Sequence, residues 1–166
     1  MWLREGSHRL DEHQVPSPRA DAETLLAFVL GIERGELLRR VALGEHLAAE
    51  RAAAYQDLID ERARRVPLQH LTGYADFAGL ALRVGPGVFV PRFETELMVH
   101  QVAAALLEAT DQGAPVIVDL CTGSGAIALA LKQRVPRAQV HAVEMDPGAH
   151  AWAVLNQAHT GQHIDL

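Results

Sequence analysis

The stretch VIVDLCTGSGAIALAL, residues 116–131, constrains this chain more than any other part of it. Pro115–Leu120 is almost wholly apolar and reads as a short strand buried on both faces of a sheet. A loop with two glycines follows, and then an apolar, alanine-rich run, Ser124–Val135, reads as a helix. Gly123 and Gly125 let the backbone bend sharply and put no Cβ between a ligand and the main chain. The helix that begins there offers free N–H groups and the positive end of its dipole, which suits a carboxylate or a phosphate. Gln139–Glu144 reads as a second strand and Pro147–His159 as a further helix. Strand, helix and strand joined by tight loops imply a right-handed parallel crossover.

Glu144 stands 19 residues past Gly125, at the end of that second strand. A carboxylate there can accept hydrogen bonds from both hydroxyls of a ribose. The pattern fits two nucleotide classes, because Gly123-x-Gly125-x-x-Ala128 with a distal acid also meets the dinucleotide fingerprint. Asp119 separates them. At the last turn of the strand it would crowd a pyrophosphate, whereas it suits the ammonium and sulfonium charges of S-adenosylmethionine. The residues favour S-adenosylmethionine, leave a dinucleotide open, and also allow a tight turn with no ligand at all.

Two zones precede this one. Up to about residue 72 the chain reads as helical. ADAETLLAFVL, residues 20–30, places Leu25, Leu26, Val29 and Leu30 on one stripe, with Pro18 before it and Gly31 as a left-handed stop. Gly35–Leu43 and a longer run from about Glu45 to Arg65 are further helices. Residues 73–92 change period: Gly79, Gly85, Pro86 and Gly87 break short apolar pieces, so a hairpin is expected between strands near Leu80–Val84 and Val88–Val90. Glu94–Ala109 then reads as the first helix of the last zone. The expected architecture is α/β, with an N-terminal helical bundle over 1–72, a β-hairpin connector over 73–92, and a partial Rossmann-like domain over 93–166.

Charge excludes some functions. Residues 1–70 hold 10 arginines against 12 acids, and residues 71–166 hold 5 basic against 9 acidic residues. Neither half is basic, so direct nucleic-acid binding is not expected. No apolar run approaches the roughly 20 residues that span a bilayer, no secretory pattern opens the chain, and the single cysteine makes no internal disulfide. A cytoplasmic protein without membrane contact is the expectation.

PLQHLTGYADFAGLALRVGPGVFVPRFETELMV, DLCTGSGAIALAL and AVEMDPGAHAWAVLNQ together resemble the protein-(glutamine-N5) methyltransferases, the HemK/PrmC group that modifies peptide-chain release factors. The resemblance runs through essentially the whole chain, and Pro67–Glu96 is its most specific part. It implies a class I methyltransferase domain that binds S-adenosylmethionine, a helical domain that docks the protein substrate, and a release factor as partner in translation termination. Carried over by position, Cys121, Thr122, Gly123, Ser124 and Gly125 would line the methionine end of the cofactor. Glu144 would hold the ribose, Asp119 the amino group, and Met145 would pack near the adenine. Pro91, Arg92, Glu94 and Thr95 match a segment beside the cofactor and would shape the mouth of its pocket.

The chain departs from that group at three points. Phe93 stands where a second proline is usual, and Cys121 where glycine is commoner, as an inert wall residue rather than a nucleophile. The Asn-Pro-Pro-Tyr motif that clamps the substrate amide in the family has no counterpart here, since Asn156 is followed by Gln157. The expectation is therefore an incomplete fragment with no assignable catalytic residue and with one edge of its central strand open. The alternatives are a fragment of a class I methyltransferase for another protein or nucleic acid, and a non-catalytic partner-binding module. His159 and His163 have helical metal-pair spacing, but no third ligand completes a set. Arg62, Arg64 and Arg65 read as a solvated helix end, and Trp152 as core.

Overall fold

In the computed structural model, which describes residues 2–109 and 113–166, the chain divides into two units, Met1–Thr72 and Gly73–Leu166. The first is helical: α1 (Trp2–Glu12), α2 (Pro18–Leu30), α3 (Arg34–Ala42), α4 (Ala49–Ala63) and the short α5 (Leu68–Thr72). Pro18 sits in the first turn of α2, where its missing N–H costs nothing. Gly31 ends the helix at φ 65°, and the Ile32 N–H closes back on the Ala27 carbonyl. Of the expected stripe, Leu25, Leu26 and Val29 are buried and pack with Leu10, Leu37, Tyr55 and Ile59, and Leu30 is partly buried against them. Residues 45–48, read as helical from sequence, lie outside α4.

Two carboxylates are buried in this apolar unit. Glu23 has no exposed side-chain surface, and Arg19 and Arg34 bond its two oxygens at 2.9 and 2.7 Å. Burial pushes its carboxyl up, and the two guanidinium groups outweigh that and hold it below its ordinary range. Asp21 accepts from Arg62 at 2.8 Å, with both side chains largely buried. Arg62 is thus an internal partner, not the solvated helix end that its arginine-rich neighbourhood suggests. Asp21→Ala should cost about 3 kcal/mol, because it leaves the largely buried Arg62 guanidinium without its counter-charge and bonded only to the Val66 carbonyl. Denaturant unfolding measures this, and an unchanged midpoint would mean that water already shields the pair.

The second unit opens with a two-stranded antiparallel hairpin, β1 (Tyr74–Phe77) and β2 (Leu80–Arg83), in register Phe77↔Leu80 to Tyr74↔Arg83. Its turn is Ala78-Gly79, with φ 51° and 88°, the two-residue turn with both centres left-handed. The expected turn at Gly85–Gly87 is present, closed by the Val88 N–H on the Gly85 carbonyl at 3.3 Å, but it joins no hairpin, because the strand expected at Val88–Val90 does not form. Gly85 serves close approach instead, since a Cβ there would lie 2.7 Å from the Trp152 ring. A 3-10 turn, Phe93–Thr95, leads into α6 (Glu96–Glu108).

Next come β3 (Val116–Leu120), α7 (Ala126–Arg134), β4 (Gln139–Val143) and α8 (Pro147–Thr160). β3 and β4 are parallel, with Val116↔Gln139 through Leu120↔Val143 in register, so the expected crossover is present. The whole is mixed α/β: a helical region, a hairpin, and the strand–helix–strand start of a Rossmann-like domain. The core of this unit joins Leu129 and Leu131 of α7 to Val140 and Ala142 of β4 and to Val99 of α6.

β3 is not buried on both faces. Ile117 turns toward the core, while Val116, Val118 and Leu120 are 62, 58 and 69% exposed. α7 covers one face only, and among the described residues no strand pairs with the second edge of β3. The outer edge of β4 has a single bridge, His141 to Asp165. An apolar strand with a free edge templates self-association. Val118→Lys should therefore make the purified chain run closer to monomeric size in light scattering, with its thermal midpoint unchanged. Equal aggregation would place the sticky surface elsewhere.

Candidate functional site

The site is built where β3 ends. Three residues of the next five, Cys121, Gly123 and Gly125, take left-handed backbone at φ 59°, 59° and 80°. That alternation folds the chain back on itself before α7 starts. Glycine adopts such angles freely, whereas a cysteine does so against the contact between its Cβ and the backbone. A Cβ on Gly123 would meet nothing, so this position opens outward. A Cβ on Gly125 would press on Leu129 at 3.1 Å and on Ala153 at 3.5 Å, so this glycine lets the loop sit down on α7 and α8.

Backbone bonds hold the turn. Thr122 N–H donates to the Val143 carbonyl at 3.1 Å, and Gly125 N–H to the Thr122 carbonyl at 2.9 Å. Glu144 reaches back from the end of β4: one carboxylate oxygen accepts Gly123 N–H at 2.8 Å and the other accepts Asp146 N–H at 3.0 Å. These amide donors hold its carboxyl below the ordinary range, so Glu144 is an anion at neutral pH. Asp146 caps α8 by accepting Ala149 N–H at 2.8 Å.

Asp119 lies under the loop, where it accepts the Thr122 hydroxyl at 2.6 Å. Burial raises its carboxyl above the usual range, and the Thr122 hydroxyl offsets only part of that. Two acids thus flank one loop, one easily ionised and one held at a cost. Thr122 and Ser124 are buried, Cys121 is exposed, and Met145 is 94% exposed. A cavity of about 170 Å³ opens in front of the loop, lined by Cys121–Ser124 and by Phe77, Phe89, Pro91, Arg92 and Thr95. The Arg92 guanidinium lies 5.2 Å from the Phe89 ring centroid.

The structure therefore gathers Asp119, Cys121, Thr122, Gly123, Ser124, Gly125 and Glu144 around one loop, with Met145 next in chain to Glu144. Of the upstream segment, Pro91, Arg92 and Thr95 face the cavity and Glu94 does not line it. Phe89 and Phe77 were not anticipated. Their signal, an aromatic in a glycine-broken hairpin, is the same as that of a core residue. The His159 ring lies tilted by 52° against Tyr74, with centroids 6.1 Å apart, and no metal-binding group of three or more His, Cys, Asp or Glu occurs among the described residues.

A raised carboxyl means that the folded state carries its charge at a cost: stability rises as pH falls through that folded value. Asp119→Asn keeps an acceptor for Thr122 and removes the charge. It should raise the thermal midpoint at neutral pH, and the gain should vanish in acid. A lowered midpoint in scanning calorimetry would show that the carboxylate is better satisfied than its burial implies.

Residues 1–73 match the family described as the PrmC N-terminal domain. Over 166 residues the chain is 49% identical to the release factor glutamine methyltransferase of Streptomyces coelicolor, a match covering 99% of this chain and 55% of that protein. The Mycolicibacterium smegmatis protein of the same name is 47% identical over 150 residues, 90% of this chain and 50% of its own length. That of Deinococcus radiodurans is 41% identical over 162 residues, 98% of this chain and 56% of its own. The chain spans about half the length of the curated relatives it matches.

Proposed function

We propose that this homologue of the release factor glutamine methyltransferases binds S-adenosylmethionine at the β3–α7 loop. We further propose that it serves methylation of a glutamine side-chain nitrogen in a peptide-chain release factor, in the cytoplasm. The observation that carries the reading is the pairing of an outward-open Gly123 with the ionised Glu144 carboxylate on its N–H.

The residues present fit such a cofactor. Gly123 leaves room for close approach of a ligand to the main chain. Each Glu144 oxygen uses one lone pair on a backbone N–H and keeps another for a ribose hydroxyl. Asp119 provides the negative charge that an ammonium group calls for and that a pyrophosphate would repel, which argues against a dinucleotide. Met145 offers an apolar, adaptable surface to an adenine ring. Cys121, Thr122 and Ser124 wall the methionine end, with Phe89 and Arg92 across the cavity.

Bound there, S-adenosylmethionine supplies an electrophilic methyl group on a positively charged sulfur. The chain's own contribution is to hold and orient it and to set charge around it. The sequence contains no Asn-Pro pair, and no residue of it is assigned to clamping the substrate amide. The helical unit 1–72 is the docking module for the release factor in this reading, 73–92 the connector, and 93–166 the cofactor-binding part.

Isothermal titration with S-adenosylhomocysteine tests the proposal. Saturable binding should weaken about 100-fold in Glu144→Ala, the equivalent of ~3 kcal/mol for two charge-assisted hydrogen bonds. Absence of binding to a folded chain would turn attention to the helical unit as the functional part.

A further inference from the structure

Asn156 is completely buried on α8, two turns after Ala149 and one after Trp152. A buried amide must find partners for an acceptor oxygen and two donor hydrogens. Here all are found. Its Oδ1 accepts the Arg83 N–H at 2.6 Å, and its Nδ2 donates to the Arg83 carbonyl and to the Ser124 carbonyl, each at 2.9 Å. The first two bonds make the side chain a one-residue strand partner for the end of β2. The third falls on the peptide between Ser124 and Gly125, inside the glycine loop.

We propose that Asn156 is a positioning residue: it fixes the Ser124–Gly125 peptide and so sets the affinity of the loop for its nucleotide. The inference rests on the cofactor reading above, and it adds a residue to which neither the sequence pattern nor the relatives' names assign a role. Three observations carry it. Gly125 takes φ 80°, and such a peptide can flip unless its carbonyl is held. The Gly125 N–H is committed to Thr122, so the same peptide is pinned at both ends. Ala153, one turn before Asn156, sits where a Cβ on Gly125 would touch it, so α8 backs the loop by packing as well as by bonding. No charged group can replace the amide. A carboxylate would keep the acceptor for Arg83 N–H but set its other oxygen against two carbonyl oxygens in a buried space, and a lysine would leave Arg83 N–H without its acceptor.

The test uses the full chain, with Asn156→Asp as the near-isosteric variant that removes both donors, and Leu82→Ala as a control. Leu82 is fully buried in β2 next to Arg83, in the core that also holds Ala126 and Leu129, so its truncation loosens the same hairpin without removing the bond to Ser124. Amide hydrogen exchange at Gly125 and titration with S-adenosylhomocysteine are read together. Asn156→Asp should speed Gly125 exchange and weaken binding about tenfold or more, while the Ala142 amide in β4, which donates to the Asp165 carbonyl at 2.7 Å, stays protected. The control should lower the thermal midpoint and leave both loop readouts within about twofold of the parent chain. Gly125 exchange and affinity unchanged in Asn156→Asp, or reproduced in full by Leu82→Ala, overturns the proposal. If Asn156→Asp does not fold, the parent chain decides: a scalar coupling across the hydrogen bond from Asn156 Nδ2 to the Ser124 carbonyl carbon supports it, and rapid exchange of the Asn156 amide protons overturns it. Failure of the parent chain to bind S-adenosylhomocysteine would sink the cofactor reading instead, and Gly125 exchange would still decide whether Asn156 orders the loop.

Discussion

The hydrogen bond from the Gly123 amide to the Glu144 carboxylate joins the ends of two parallel strands, and the geometry of the second unit's working end hangs on it. Parallel strands deliver their C-terminal ends to the same side of a sheet, so the loops that follow β3 and β4 must meet there. Two acids arrive with them. One is stabilised as an anion by backbone N–H groups, and the other is held beneath the loop by a threonine hydroxyl. Electrostatic preorganisation of this kind exists before any ligand, because the dipoles are already fixed by the bonds that make the turn. The glycines, the left-handed Cys121 and the buried Ser124 are consequences of folding a chain tightly enough to bring those groups together.

The helical unit meets a different constraint with the same chemistry. Asp21 and Glu23 are both buried on α2, on different sides of the helix, where carboxylates are expensive, and arginines from other positions in the unit neutralise them. Such pairs add little net stability over an apolar core. They do specify which helix faces which, because a rotated α2 would bury an unpaired charge. The apolar stripe of α2 alone would tolerate several rotations.

How much of this was legible in the sequence depends on the range of the interaction involved. The glycine loop, its flanking strand and helix, and the distal Glu144 are local or periodic features, and they were read in place. The Gly31 stop was readable for the same reason: a left-handed terminus is written in one residue. Gly85-Pro86-Gly87 carries the stronger turn signal and does form a turn, but the turn that joins the two strands puts Ala78 in a left-handed conformation. What Gly85 serves, the approach of Trp152 from more than sixty residues away, is a tertiary fact. Arg62 looked like a surface cation for a similar reason, since its partner Asp21 lies 41 positions earlier. Asn156 gave no signal at all, because a polar residue on a helix is legible only once its neighbours are known. The β3 strand shows the limit of composition: an unbroken apolar run says that both faces suit burial, not that both are covered.

The lone cysteine of the chain, Cys121, sits exposed in the loop itself. A single accessible thiol at that point gives the molecule an intrinsic reporter. Any reagent that labels it does so once per chain, at the wall of the cavity. Its rate of modification, followed as candidate nucleotides are added, reads occupancy of the loop directly and without an engineered tag. The same placement sets a handling rule. Oxidised storage would couple two chains loop to loop and hide the surface that Gly123 leaves open, so preparations kept without a reductant would report on a dimer of blocked sites.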